Sequence, residues 1–192
     1  MNKSRLMLQW TAVVFGVSLM QCTSPDEPNM WAYFYSMEVP VVTGIYVTTL
    51  DMPDGTGETI GVPSYSVSPN GVNVFPNPYV ESGIPPLLGN YLVFNHMDVK
   101  GTVVIIRAQR PEERAHQNTS YLGTTVPPGK ATILRTLHKD DPSRFLRWDL
   151  TDDTGAAIPS GVYRAFYYGP TIDGIKFLDI IVKEAPGQLI RY

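Results

Sequence analysis

A chain of 192 residues holds one domain, or one domain with an arm, and excludes a large multidomain enzyme. With 43% hydrophobic and 17% charged residues it has the apolar content for a buried core, which excludes disorder along its whole length. A formal net charge of -3 offers no basic excess to neutralise phosphates, so nucleic acid is not an expected partner.

The 17 Pro, 16 Gly and 11 Tyr favour short strands and turns over long helices, and the expected class is all-β. Residues 1–22 read as a signal or anchor segment. Lys3 and Arg5 precede an apolar run over residues 6–20, the order of an export signal. That run contains Gln9 and falls short of the roughly 20 apolar residues that span a bilayer comfortably. The single cysteine, Cys22, follows at once and stands before Thr23-Ser24-Pro25-Asp26. This arrangement resembles the junction of a bacterial lipoprotein, where the cysteine becomes the lipidated N-terminus. Lipoprotein junctions usually carry small residues where Met20 and Gln21 stand, so retention of the segment as an anchor, and ordinary cleavage near Cys22, stay open. All three readings put the body outside the cytoplasm, and the first two attach it to a membrane. One cysteine permits no internal disulfide.

Residues 23–71 form an arm in which 31–35 (Trp-Ala-Tyr-Phe-Tyr) and 41–50 read as strands, with turn-rich links at 51–57 and 63–71. Residues 72–184 form the main body. Strand-length runs rich in β-branched and aromatic residues lie at 72–75, 91–94, 102–106, 131–137, 145–150, 161–168 and 176–182. Their number and spacing suit an immunoglobulin-like antiparallel sandwich. Pro111 to His116 is the one helical stretch expected, about two turns with Pro tolerated in the first. Residues 185–192 are a tail.

Three motifs occur in order: Phe75-Pro76-Asn77-Pro78-Tyr79, Trp148-Asp149-Leu150-Thr151-Asp152-Asp153-Thr154-Gly155, and Ile158-Pro159-Ser160-Gly161-Val162-Tyr163. Together they resemble the Ig-like domain shared by flagellar hook-capping proteins and the C-terminal sorting domains of type IX secretion cargo, over residues 72–184. The resemblance implies structural roles for Asn77, Pro78, Tyr79, Trp148, Asp149, Gly155, Ser160, Gly161 and Tyr163. Physical reading agrees: Pro76 and Pro78 stiffen the chain before the first strand, residues 152–155 turn it, and Trp148 belongs in the core. Tyr163 is expected to bury its ring and tie its hydroxyl to backbone, as a corner tyrosine does. Two departures limit the transfer of function. An insertion of about twenty residues, 109–130, replaces a short turn and is a candidate contact loop, and no large cargo precedes the domain.

His96, His116 and His138 lack metal-ligand spacing, and no nucleophile elbow or phosphate-binding loop is present. No enzyme activity, metal or cofactor is therefore expected. Asp153-Thr154-Gly155 matches the turn of aspartic proteases, but Thr151 and Asp152 stand where those enzymes have apolar residues, and there is no second copy. Asp149, Asp152 and Asp153 read as turn formers, with calcium ligation as the alternative. Arg107, Arg110, Arg114, Lys130 and Arg135 flank the insertion, either as a solvated face or as a dock for an acidic partner.

The expected function is that of a non-catalytic, membrane-tethered, extracytoplasmic accessory or scaffold subunit of an envelope assembly. Its expected protein contacts are Trp31, Tyr33, Tyr35, Arg110, Arg114, Tyr121 and Leu122, because aromatics and Arg dominate interface energetics. The alternative is a carbohydrate-binding or surface-adhesion module whose exposed rings stack on glycans, and a remote one is a type IX sorting domain.

Overall fold

The computed structural model describes residues 30–67, 71–80, 91–118 and 129–183. The chain divides into two compact units, Met1–Met30 and Trp31–Tyr192, and the described residues after Met30 belong to the second. Cys22, Tyr121, Leu122 and the 185–192 tail lie outside the described residues.

In chain order the elements are α1 (Met30–Ser36), β1 (Gly44–Tyr46), β2 (Thr59–Gly61), β3 (Asn73–Phe75), β4 (Tyr79–Val80), β5 (Leu92–Asn95) and β6 (Lys100–Arg107). They continue as α2 (Pro111–Asn118), β7 (Ile133–Asp140), β8 (Leu146–Trp148), β9 (Gly161–Tyr168) and β10 (Lys176–Lys183). The fold is mostly β, with sheets ordered β4-β10-β9-β6-β7, β3-β5-β8 and β1-β2. Pairing is antiparallel throughout except for β4 beside β10.

Side chains alternate across a strand, and here both sides of the five-stranded sheet are apolar. One side carries Val103, Ile105, Tyr163, Ala165, Leu178 and Ile180, which share a core with Val74, Leu92, Phe94 and Trp148 of the three-stranded sheet. Trp148 is fully buried, donates from Nε1 to the Thr151 carbonyl at 2.9 Å, and meets the Tyr163 ring edge-on at 6.1 Å. Tyr163 is buried too, and its hydroxyl donates to the Pro159 carbonyl.

The opposite side is covered by the arm. Val42 and Ile45 pack with Ala108, Val162 and Ile181 in a second, smaller core. The Val42 amide donates to the Gln109 carbonyl, and the Gln109 amide to the Pro40 carbonyl, each at 2.9 Å, so the arm is stitched to the end of β6. Strands β1 and β2 approach so closely that a Cβ on Gly44 would collide with the Val62 backbone. At Gly61, whose φ is +72°, it would collide with the Thr43 carbonyl.

Asn77 joins the arm to the sheet. The Phe75-Pro76 and Asn77-Pro78 peptide bonds are both cis, and neither proline has an N–H to give a ladder. The buried Asn77 carboxamide bonds β10 instead, with one donor and one acceptor. Its Nδ2 donates to the Asp179 carbonyl at 2.9 Å and its Oδ1 accepts from the Ile181 amide at 3.1 Å. The Asn77 backbone meanwhile exchanges two bonds with Thr48. Tyr79, next along, is buried in the main core, while Gly155 takes the φ of +84° that closes the 152–155 turn.

Two expectations are corrected. Residues 31–35 form the helix α1, not a strand, because a helix buries Phe34 against Phe166 of the sheet while Trp31, Tyr33 and Tyr35 stay partly in solvent. Tertiary contact overrides the β preference of Tyr, Phe and Trp here. In the 41–50 stretch only Gly44–Tyr46 is strand, since the chain on either side bonds to Gln109 and Asn77 singly. In α2, Pro111 occupies the first turn, and the Glu113 carboxylate accepts the Arg110 amide at 2.9 Å, half of a capping box. Among the described residues no helix is long and apolar enough to cross a membrane.

Candidate contact surface

The surface starts from alternation in β9 and β10, where Arg164, Phe166, Phe177 and Asp179 share the arm side of the sheet. Asp179 is fully buried. Arg164 grips it with a fork, Nε to Oδ1 at 2.6 Å and Nη2 to Oδ2 at 2.9 Å. Nη2 also donates to the Val41 carbonyl and Ser64 Oγ of the arm, and the guanidinium lies 4.1 Å from the Phe177 ring centroid. Burial pushes the Asp179 carboxyl up, and the Arg164 hydrogen bonds pull against that shift.

Helix α1 sits on this base through Phe34, whose ring meets Phe166 edge-on at 5.3 Å. Pinning Phe34 leaves the other three large rings of the helix in solvent: Trp31 is 44% exposed, Tyr33 49% and Tyr35 65%. They divide between two flanks. Trp31 and Tyr35, four residues apart, are ring neighbours at 6.5 Å. Tyr33 leans on Phe166 and lines a groove of about 490 Å³, walled by Met37, Val39, Val41, Phe166 and Arg114.

Arg114 reaches the groove from α2. Its Nη2 pairs with Glu38 at 2.9 Å and Nη1 donates to the Val39 carbonyl. The structure therefore gathers Tyr33 and Arg114, from opposite ends of the sequence reading, at one groove. Arg110 is half-buried at the start of α2, where its Nε has no hydrogen-bond partner among the described residues.

No family model and no curated protein matches the sequence. Among solved structures the chain is similar to PorZ, described as an essential bacterial surface component of the type IX secretion system of Porphyromonas gingivalis. The likeness has 19% identity and a TM-score of 0.36, and covers 60% of this chain and 12% of that one.

The sequence reading missed Arg164, Asp179, Phe166 and Phe177. A signal for the first two was present: one charge in the interior of each of two strands, Arg164 in β9 and Asp179 between the terminal lysines of β10, which a buried position tolerates only when paired.

The acidic turn is a separate feature. Asp152 Oδ1 accepts from the Thr154 amide, Thr154 Oγ1 and the Ala156 amide, and Asp149 Oδ1 accepts from Thr151 Oγ1 at 2.7 Å. Asp153 turns outward to β7, taking the Thr136 amide at 3.1 Å. Arg135 donates to the Asp152 carbonyl at 2.8 Å and stands 3.9 Å from the carboxylates of Asp149 and Asp153. These acids act here as turn formers that clasp the outer edge of β7. Among the described residues no group of three or more His, Cys, Asp or Glu is arranged to hold a metal ion. His96 contacts Asp54 at 3.0 Å and His138 contacts Thr102 at 3.2 Å, each separately.

The Thr154 and Thr151 hydroxyls hold Asp152 and Asp149 below the usual carboxylate range. A lowered folded-state value favours the native state above the unfolded value near pH 4, and this contribution fades as pH falls through the folded value. Urea unfolding should show wild type more stable than the Asp149→Asn/Asp152→Asn variant at pH 7. The gap should close below about pH 4; a gap independent of pH would refute the turn assignment.

Proposed function

We propose that this protein is a non-catalytic, membrane-tethered, extracytoplasmic Ig-like sandwich that works as an accessory or scaffold subunit of an envelope assembly through protein contacts. The observation that carries this reading is the groove beside α1, where a half-exposed Tyr33 stands over an apolar wall beside an Arg114 already oriented by Glu38. Arg and Tyr anchored beside an apolar depression are the residues that concentrate binding energy in interfaces. The charged groups support a structural base: beside the groove Arg164 holds Asp179, and at the separate turn on β7 the three acids accept local hydrogen bonds. Two facing sheets sharing Trp148 and Tyr163 support the Ig-like description. The apolar run ending before Cys22 supports the tether.

The test is gentle detergent extraction of the full-length protein, followed by size-exclusion chromatography and mass spectrometry of its N-terminus and of co-eluting proteins. Stoichiometric partners should co-elute with wild type. They should be lost from Arg114→Ala, whose melting should change little because an ion pair with an exposed partner contributes about 0–1 kcal/mol. A wild-type monomer with no partner would sink the scaffold reading, and glycan binding lost on Trp31→Ala would replace it with adhesion.

A further inference from the structure

The Trp31–Tyr35 flank of α1 faces away from the groove residues. Neither residue lines the groove, both are exposed, and their rings touch. The helix sequence Met-Trp-Ala-Tyr-Phe-Tyr-Ser contains no charged residue. Resting on the tethered reading, we infer that this flank docks into the headgroup region of the bilayer that holds the N-terminal segment, and so orients the β-body against the membrane.

Three observations carry the argument. Trp and Tyr combine an apolar ring with a polar tip and concentrate at the membrane–water boundary. An uncharged helix brings no ion to desolvate when it settles there. Eight residues lie between Cys22 and Trp31, so the extended chain reaches at most about 30 Å from Cys22. Within that reach the rings meet the bilayer at high effective concentration, and two rings suffice where a free helix of this size would not bind. Phe34, buried against Phe166, makes the helix a handle on the sheet rather than a loose end. Continuity with the apolar run is what favours lipid over a second protein on this flank.

The experiment uses the full chain in vesicles of phosphatidylethanolamine and phosphatidylglycerol, with some lipids brominated near the glycerol end of the acyl chains. Trp10→Phe removes the fluorophore in the apolar run, and subtracting the Trp10→Phe/Trp31→Phe signal removes that of the buried Trp148. Rings seated about 5–10 Å into the boundary should give a blue-shifted Trp31 emission, quenched by about half. Tyr35→Ser should reduce that quenching with no change in melting. A chain that floats with vesicles while Trp31 stays unquenched overturns the docking and leaves the tether standing. A chain that does not float overturns the tether and the docking with it.

Discussion

Trp148→Ala should lower the unfolding free energy by about 3–5 kcal/mol, the range for deleting a large aromatic from a packed core. Trp148 has no exposed surface, and it bridges the two sheets by filling the space between Phe94 and Leu92 on one and Tyr163 and Ile105 on the other. Alanine leaves a cavity that rigid β-sheets on both sides cannot collapse into, and strips the Thr151 carbonyl of its donor at the start of the acidic turn. The effect should therefore exceed simple transfer of the ring to water. Trp148→Phe keeps part of the packing and loses the Nε1 hydrogen bond with the rest of the indole, at about 1–3 kcal/mol. Thermal melts of the full-length variants, reading roughly 2–4 °C per kcal/mol, check both figures. Equal losses for Phe and Ala would show that the hydrogen bond, not the packing, dominates.

Arg164→Ala should cost a comparable amount, about 3–5 kcal/mol, for a different reason. The substitution leaves the Asp179 carboxylate fully buried without its fork and also removes the guanidinium bonds to Val41 and Ser64 that hold the arm down. The double variant Arg164→Met/Asp179→Leu should recover most of the loss, because an apolar pair of similar volume carries no uncompensated charge. Burial already raises the Asp179 carboxyl, and without Arg164 it rises further. A folded-state value above the unfolded one favours the native state as pH falls, so the Arg164→Ala deficit should be largest at neutral pH and smaller in mild acid. Urea unfolding across that range measures it. A double variant no better than the single would mean that the arm bonds, not the buried charge, account for the loss.

The strands of the body were legible because their signals are local. Alternation and Gly or Pro punctuation place β6, β9 and β10 close to where the runs at 102–106, 161–168 and 176–182 stand. Edges drifted where local signals are weak: β7 runs to Asp140, past the apolar run that ends at Leu137, since the polar residues His138, Lys139 and Asp140 still pair with β6. The 31–35 stretch failed for the opposite reason. Its residues prefer strands, but the burial of Phe34 on Phe166 selects a helix. Of the contact surface, Trp31, Tyr33, Tyr35 and Arg114 were legible as aromatic and Arg side chains of the kind that interfaces use. Their sorting into a groove flank and a free flank was not, because it depends on which single ring the sheet captures.

By itself the sequence determined the all-β class, the positions of most strands, the two-turn helix at Pro111 and the buried place of Trp148, all of which follow from patterns spanning a few residues. Only the tertiary structure decided that the arm covers the second face of the main sheet, that the Asn77 side chain bonds β10 about a hundred residues away, and that Arg164 and Asp179 neutralise each other beneath α1. The physical reason is that each depends on a partner remote in sequence, chosen by packing two layers against one sheet, and local propensity carries no information about such partners.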